Sequence, residues 1–340
     1  MSESSNRFDR RDFLKSSLLT GAAGGALAAG ALQGGLLKAA DEAVKPVTGE
    51  PPVPSSKATL PTGKIGKLQV SRMLLGGNLL THYTHSRDLQ YVYNLAAHYN
   101  TVAKIRETLS VAEEHGINTL SVHNPPGIVK ILQDHRKAGG KIQWIICPTA
   151  PIRDDMTAYT NMVNELIDAG ADGIYVWGVH SDPLSAKGKK GAELLAKAVE
   201  AAKLHGVPSG VGCHDLNAVK LCEAEGVEAD FYIKTFHHHK YPTGPKPEEI
   251  KGPYNEFPGY WCATPEEHIE VMKKVTKPWI AFKIMAAGAI PPQNAFNWAF
   301  GNGADHILVG MFDFEIAQDV EIGNKAIAAA KDRTGRPWRN

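Results

Sequence analysis

Residues 168–176 read D-A-G-A-D-G-I-Y-V, and this short stretch decides the fold. A helical segment ends at Gly170, and a run of apolar residues begins shortly after it. Glycine accepts the left-handed conformation that terminates a helix. A near-continuous apolar run is typical of a parallel strand that is buried on both faces. The stretch therefore predicts a helix followed by a buried strand.

The same junction recurs four more times along the chain, at Gly116, Gly206, Gly226 and Gly303. Three further apolar runs fit the same rhythm, at residues 73–77, 142–147 and 279–284. Eight strands that alternate with helices predict a closed (β/α)8 barrel, or TIM barrel, in the α/β class. An open, doubly wound sheet is the alternative, but no G-x-G-x-x-G motif follows the first strand.

The first 40 residues predict a leader rather than part of the fold. Arg10 and Arg11 precede an apolar segment that is rich in Ala and Gly and free of charge until Lys38. Export machinery reads such an arginine pair as an address. We therefore expect residues 1–40 to be a twin-arginine signal peptide and the mature protein to be periplasmic or otherwise extracytoplasmic. A short membrane anchor is the alternative, although its many glycines make a poor span.

The remaining chain divides into a linker and one domain. Residues 41–61 carry five prolines among small polar residues, which is typical of a disordered linker. Residues 62–340 suit one large α/β domain. The 37 Lys and Arg nearly cancel the 36 Asp and Glu, without any basic run, so nucleic acid is not expected as a partner. We expect a small-molecule substrate as partner, and contact with a membrane and with the twin-arginine export machinery only during export.

Histidines stand at the predicted ends of four barrel strands, where catalytic groups of such barrels lie. They are His123, His180, His214 and at least one of His237, His238 and His239, of which we take His237 as the candidate. Because strand ends converge on one cavity, these imidazoles are candidate ligands for Zn²⁺, Mn²⁺ or Fe²⁺, with an oxygen from Asp182 beside them. A metal there would polarise a carbonyl or lower the pKa of a bound water. The alternative is that the histidines are structural or bind substrate.

Lys283 follows the seventh strand and is a candidate acid, base or electrostatic stabiliser, with a structural ion pair as the alternative. The predicted catalytic set is therefore His123, His180, Asp182 and Lys283. A Gly/Ala turn follows at residues 286–290, and such a turn offers backbone N–H groups to an anion. The predicted cofactor-binding residues lie in this turn and after the eighth strand, and they are Gly288, Gly310 and Met311.

A long loop at residues 241–264 follows the sixth strand. It carries five prolines and five aromatic residues. A proline-stiffened, aromatic loop at the catalytic end predicts a lid over the site. Contact with a partner subunit, or shielding of the barrel edge, is the alternative.

Several segments resemble the aldo/keto reductases. They are T-G-K-I-G-K-L-Q-V-S-R-M-L-L-G-G-N at 62–78, G-I-N-T-L-S at 116–121, D-G-I-Y-V-W-G-V-H-S-D at 172–182 and A-F-N-W-A-F-G-N-G-A-D-H-I-L-V-G-M at 295–311. The resemblance implies a barrel whose floor is covered by a small β-hairpin, and chemistry that depends on a nicotinamide cofactor.

The catalytic tetrad of that family is mostly not matched. The resemblance places the family's Asp at Ser121, its Tyr near Pro126 and its Lys at Cys147, and only the His is matched, by His180. Without the tyrosine there is no proton donor, and without the lysine nothing lowers that donor's pKa.

Three functional classes fit these observations. We favour a metal-assisted enzyme that acts on a small polyhydroxy or carbonyl compound, sugar-derived, as an isomerase, epimerase, lyase or hydrolase. The second class is an NAD-dependent oxidoreductase with an atypical active site. Asp313 and Glu315 follow the eighth strand and would repel a 2′-phosphate, so NADP is disfavoured and NAD is compatible. The third class is a non-catalytic, ligand-binding barrel.

Overall fold

The computed structural model describes residues 59–339. The predicted signal peptide at residues 1–40 lies outside the described residues, and so does the predicted linker as far as residue 58. Ten strands are present in the described part: β1 (Thr62–Ile65), β2 (Leu68–Ser71), β3 (Met73–Gly76), β4 (Thr119–His123), β5 (Gln143–Cys147), β6 (Gly173–Val176), β7 (Ser209–Cys213), β8 (Phe231–Thr235), β9 (Trp279–Phe282) and β10 (His306–Val309).

Eight of these strands, β3 to β10, form a closed parallel barrel. Each strand pairs with its neighbour in sequence, and β10 returns to pair with β3. The closing pair sets Ile307 opposite Met73 and Val309 opposite Leu75. The prediction of a (β/α)8 barrel is therefore confirmed, because an open sheet would leave β3 and β10 as unpaired edges.

Helices surround the barrel and connect its strands. Ten α-helices lie within residues 59–339: α1 (Gln90–Tyr99), α2 (Val102–Glu114), α3 (Ile128–Lys137), α4 (Thr157–Asp168), α5 (Gly178–Ser185), α6 (Lys189–Lys203), α7 (Leu216–Ala224), α8 (Pro265–Lys274), α9 (Pro292–Gly301) and α10 (Asp313–Ala329). No helix of this part of the chain is long and apolar enough to cross a membrane.

The five glycines of the predicted helix-to-strand junctions all have positive φ. The angles are +83° at Gly116, +110° at Gly170, +68° at Gly206, +67° at Gly226 and +107° at Gly303. This region of backbone conformation costs other residues free energy, because their Cβ atom crowds the carbonyl oxygen. Each glycine therefore ends a helix where the chain turns back into the barrel, as the sequence predicts.

The hairpin of β1 and β2 closes the N-terminal end of the barrel. Its apolar side chains Ile65, Leu68 and Val70 are at most 7% exposed. They pack in one cluster with side chains that point into the barrel, including Leu74 and Ile280. The floor hairpin that the resemblance implies is therefore present, and it seals this end with apolar side chains.

Two barrel strands end earlier than their apolar runs. Trp177 is already the residue that precedes helix α5, so the predicted strand end at residues 177–182 is helical from Gly178 onwards. The seventh barrel strand ends at Phe282, because Lys283 has a φ of +53°, which no strand residue adopts. Both departures occur at the carboxyl ends of the strands, where the chain must turn toward the next helix.

The last residues of the chain are bound to the barrel floor by buried charges. Asp305, which is 0% exposed, lies between Arg336 at 2.6 Å and Arg333 at 3.2 Å. The same carboxylate accepts hydrogen bonds from the backbone N–H groups of Trp279 and Arg339. Both oxygens are thus fully paired, as a buried charge requires.

Candidate functional site

A cavity of about 270 Å³ opens at the carboxyl end of the barrel, opposite the floor hairpin. Its walls come from the ends of barrel strands, from the loop after β3 and from the long loop after β8. Among the residues that line it are Asn78, Tyr83, His85, His123, Trp177, His214, Tyr254, Glu256, Phe282 and Lys283. We call it the mouth cavity. Catalytic groups of such barrels lie at this end, so it is the candidate active site.

Lys283 is the most unusual residue of the mouth cavity. Its backbone is left-handed, with a φ of +53°, and such strain in a residue other than glycine clusters at functional sites. Within residues 59–339 its ammonium has neither a hydrogen bond nor an ion pair; Nζ lies 5.1 Å from the ring centroid of Trp261 and 5.6 Å from that of Phe282. Burial lowers the pKa of Lys283 to about 7, although the carboxylates of Glu256 and Asp182 favour its charged form.

His214 and Asp182 form a hydrogen-bonded pair beside the cavity. The ring Nδ1 of His214 lies 2.8 Å from Oδ2 of Asp182. The carboxylate also accepts the backbone N–H groups of His214 at 2.9 Å and Asp215 at 3.0 Å, and this fixes its orientation. Burial lowers the pKa of His214 to about 4, and the Lys283 charge adds to that effect. The neutral ring therefore donates from Nδ1 to Asp182, which leaves Nε2 as an acceptor.

His85 and Glu256 form a second imidazole–carboxylate pair, at 2.9 Å. Glu256 also accepts a hydrogen bond from the indole of Trp261 at 3.2 Å. Burial is the largest single effect on Glu256 and opposes its ionisation, but the hydrogen bond and charge of His85, the charge of Lys283 and the hydrogen bond from Trp261 together outweigh it, so the pKa of this carboxyl lies below its usual range. Burial lowers the pKa of His85 as well. The mouth cavity thus contains one free amine and two hydrogen-bonded acid–base pairs.

Aromatic rings form much of the remaining wall. His123 stacks on Trp177, with centroids 5.8 Å apart and planes 7° apart. The ring of Tyr83 contacts His123 edge-on at 5.3 Å. Tyr254 lies 4.5 Å from the ring of His214. Flat apolar faces with polar edges suit a small organic molecule that carries polar groups.

The loop at residues 241–264 extends over the mouth cavity. It contributes Tyr254 and Glu256 to the wall, and its own Tyr260 and Trp261 are fully buried. Arg87 ties the loop to the first βα loop, because its Nη2 donates to the carbonyl of Pro258 at 2.5 Å and to that of Thr243 at 3.1 Å. This position agrees with the predicted lid.

The structure brings together only some of the predicted histidines. His123 and His214 line the mouth cavity, whereas His180 and His237 do not. His180 lies on α5 and meets the edge of Trp177 at 5.9 Å. His237 is 0% exposed, and its ring is used twice: Nδ1 bonds to the carbonyl of His238, and Nε2 accepts the N–H of Trp261. No group of three or more His, Cys, Asp or Glu within residues 59–339 is arranged to hold a metal ion.

A second cavity, of about 360 Å³, adjoins the mouth cavity and shares four wall residues with it, Asn78, His85, Phe282 and Lys283. We call it the side cavity. The predicted cofactor-binding residues Gly288 and Gly310 line it, while Met311 is buried and does not. Glu315 and Asp319 of α10 also line it. Burial raises the pKa of both carboxyls, that of Asp319 to about 7, with repulsion from Glu315 adding to the effect.

Sequence reasoning did not single out several wall residues of the mouth cavity, among them Tyr83, Glu256 and Phe282. Phe282 was within a predicted strand, and the alternation of inward and outward side chains would have identified it as pointing inward. Tyr83 and Glu256 come from long loops, whose course over the barrel no local pattern specifies. The clearest signal for Glu256 is its position as a lone carboxylate among the aromatic residues of the second half of its loop.

Comparison with solved structures supports the fold. Two structures of proteins named as aldo-keto reductases from Pseudomonas aeruginosa have TM-scores of 0.54 and 0.55, at 16% and 15% identity, and cover 80% of this chain and 98% of theirs. An aldo-keto reductase from Bacillus halodurans has a TM-score of 0.51 at 10% identity, over 83% of this chain and 99% of its own. No protein-family model and no curated protein matches the sequence. The likeness establishes an aldo-keto reductase-like (β/α)8 barrel.

Proposed function

We propose that this barrel is an enzyme that acts on a small carbonyl compound through the amine of Lys283. The observation that carries the proposal is a lysine with a pKa of about 7 and no ion pair within residues 59–339, in a cavity at the catalytic end of the barrel. At pH 7 about half of this amine is neutral, against about one in 3,000 for an ordinary lysine. A neutral amine is a nucleophile, whereas an ammonium is not.

The chemistry follows from the groups present. The neutral amine of Lys283 attacks the carbonyl carbon, and the two protons that the nitrogen loses are transferred to the carbonyl oxygen, which leaves as water, so that a C=N bond replaces the C=O bond. Nε2 of His214 is the group that accepts and returns protons during these steps, with Asp182 holding its tautomer. A protonated imine withdraws electrons from the adjacent carbon and weakens a C–H or C–C bond there. Isomerases, epimerases and lyases need this effect, and hydrolysis of the imine by water restores the lysine.

Borohydride trapping tests the proposal. The purified protein is incubated at pH 7.5 with glycolaldehyde, dihydroxyacetone or pyruvate, reduced, and analysed by peptide mass spectrometry. We expect the mass of one reduced adduct on Lys283. Lys283→Arg should remove it, and the matched variant Lys246→Arg, at an exposed position of the lid loop, should leave it unchanged. Adducts spread evenly over surface lysines would reject the proposal.

The metal-assisted mechanism has less support from the geometry, because the four predicted ligands do not converge. His123 and His214 face the mouth cavity, and the ring nitrogens of His237 are already occupied. Elemental analysis of the purified protein tests this class directly. Near-stoichiometric zinc, manganese or iron that is lost in His214→Ala, with an intact circular dichroism spectrum, would restore it. That the substrate is derived from a sugar stays a proposal.

An NAD-dependent oxidoreductase is the second candidate, because the side cavity shares Lys283 and His85 with the mouth cavity. Two adjoining cavities suit a cofactor beside a substrate. The carboxyls of Glu315 and Asp319 disfavour the 2′-phosphate of NADP. Titration of NADH fluorescence, with NADPH as the control, tests this candidate: tight binding of NADH alone would favour it over the imine chemistry.

We further propose export of the folded protein through the residues 1–40 leader. Replacement of both Arg10 and Arg11 by Lys should leave the precursor in the cytoplasm of an expressing bacterium, whereas the unaltered chain should reach the periplasmic fraction. Equal distribution of both forms would contradict this.

A further inference from the structure

The side cavity is mainly apolar, in contrast to the mouth cavity. Its walls come from β9 and β10, from the turn after β9 and from helix α1. Among the apolar members of the wall are Leu79, Val92, Ile284, Met285, Leu308 and Val309. Its volume of about 360 Å³ falls within the usual range of ligand pockets. Displacement of water from such an apolar cavity by an apolar group of a ligand is favourable, so the side cavity suits a group of this kind.

Lys283 belongs to the walls of both cavities. A molecule whose reacting carbon is bonded to Nζ of Lys283 can therefore extend into either chamber. The mouth cavity offers polar partners, namely the His214–Asp182 and His85–Glu256 pairs. The side cavity offers aliphatic contacts. The two cavities together suit a substrate that is polar on one side of its carbonyl group and apolar on the other.

We propose that the substrate is an amphipathic ketone or aldehyde, with a polar side in the mouth cavity and an unbranched apolar tail in the side cavity. This inference rests on the proposed role of Lys283. It narrows the substrate class, because a small sugar leaves the side cavity without an apolar occupant. Each CH₂ group that moves from water into this chamber should strengthen binding about fourfold, since burial of a CH₂ group contributes about 0.8 kcal/mol.

The acidic residues of the side cavity limit what the tail carries. Glu315 accepts the backbone N–H of Phe312 at 2.9 Å, and Asp319 is 6% exposed. A carboxylate at the end of the tail would lose its hydration and meet these acidic groups. A neutral tail is therefore accepted and an anionic tail of equal length is rejected.

A ladder of methyl ketones tests the inference. The purified full-length protein is incubated with propanone, 2-pentanone, 2-octanone or 7-oxooctanoate, reduced with borohydride, and digested. The ketone concentration that gives half-maximal labelling of Lys283 is measured. We expect it to fall about fourfold for each added CH₂ up to the capacity of the chamber, and to rise at least tenfold from 2-octanone to 7-oxooctanoate.

Two variants on α1 localise the effect. Val92 lines the side cavity and not the mouth cavity, so Val92→Trp should raise the half-maximal concentration for 2-octanone by a larger factor than that for glycolaldehyde. Tyr93→Trp, at a neighbouring residue that is 39% exposed and outside both walls, is the matched control.

The outcomes separate the two proposals. Labelling of Lys283 that is independent of chain length would overturn the amphipathic substrate and leave the role of Lys283 intact. Absence of any label on Lys283 would overturn both. Competition between NAD and 2-octanone for the labelled site would assign the side cavity to a nucleotide and overturn the inference.

Discussion

At the scale of single residues, Lys283 determines how the protein should respond to pH. The reactive form is the neutral amine, and the pKa of Lys283 is about 7. The rate of imine trapping should therefore rise as pH increases through 7 and level off above 8. A titration midpoint near 10 would show that the amine behaves as an ordinary surface lysine.

The same lysine couples stability to pH. Between pH 7 and 10.5 the unfolded chain binds a proton at Lys283 that the folded chain does not, so unfolding takes up one proton in this window. Relative to Lys283→Met, the free energy of unfolding of the native chain should increase with pH there, by about 1.4 kcal/mol per unit. Below pH 7 the difference should be constant, with Lys283→Met the more stable. Urea denaturation of both proteins at several pH values in this range measures the difference in free energy of unfolding. A difference that does not change with pH would contradict the prediction.

Asp182 acts through His214 and is a positioning residue. Asp182→Asn replaces one carboxylate oxygen with an NH2 group. The backbone N–H groups of His214 and Asp215 retain the remaining oxygen, so the NH2 group faces Nδ1, which must then accept, and Nε2 carries the proton and no longer accepts. We expect the rate of imine formation to fall by about 100-fold or more, with the labelled position still Lys283. Asp168→Asn, at the exposed end of α4, is the control. If Asp182→Asn and Asp168→Asn lower the rate of imine formation by the same factor, Asp182 does not have this role.

The residues of the site were only partly predictable from the sequence. His123, His214, Asp182 and Lys283 stand at or just beyond strand ends, which a barrel necessarily gathers at one end. The pair of His85 with Glu256 was not predictable, because it depends on how two long loops fold over the barrel. His237 shows the same limit: it follows β8 directly, yet its ring turns into the lid loop and bonds to Trp261.

At the scale of elements, the lid loop depends on Arg87. This side chain donates to two lid carbonyls and lies over the ring of Tyr241, 5.9 Å from its centroid. Arg87→Ala should loosen the lid and raise the half-maximal concentration for glycolaldehyde labelling several-fold. Its effect on the free energy of unfolding should be about 1–3 kcal/mol, the usual contribution of hydrogen bonds from a charged group.

The control for the lid is Lys246→Ala, whose side chain is exposed on the same loop. If Arg87→Ala changes stability but not the labelling concentration, the loop is a structural cover rather than a lid. Proteolysis within residues 241–264 provides an independent measure, since a loosened lid should be cut faster.

The elements themselves were largely predictable. Each of the five helix-to-strand junctions combines a glycine with a following apolar run, and this pair of signals is local. The exact ends of strands were less predictable, because no local signal in the sequence marks the left-handed turn at Lys283 or the helix that begins at Gly178.

At the scale of the whole molecule, Asp305 holds the chain end to the floor. Asp305→Asn would leave the guanidinium groups of Arg333 and Arg336 buried without a counter-charge, at 3% and 1% side-chain exposure. We expect a loss of about 3–5 kcal/mol in the free energy of unfolding, measured by urea denaturation. Asp332→Asn, on the exposed surface nearby, should change it by less than about 0.5 kcal/mol. Similar losses in both variants would show that the cluster contributes little.

The floor hairpin determines at which end of the barrel substrate enters and product leaves. With Ile65, Leu68 and Val70 filling one end of the barrel, the proposed substrate of Lys283 has to enter, and its product depart, at the opposite, carboxyl end. Product that has not yet left therefore occupies the same contacts as substrate and excludes the next substrate molecule. Product should accordingly behave as a competitive inhibitor with respect to substrate.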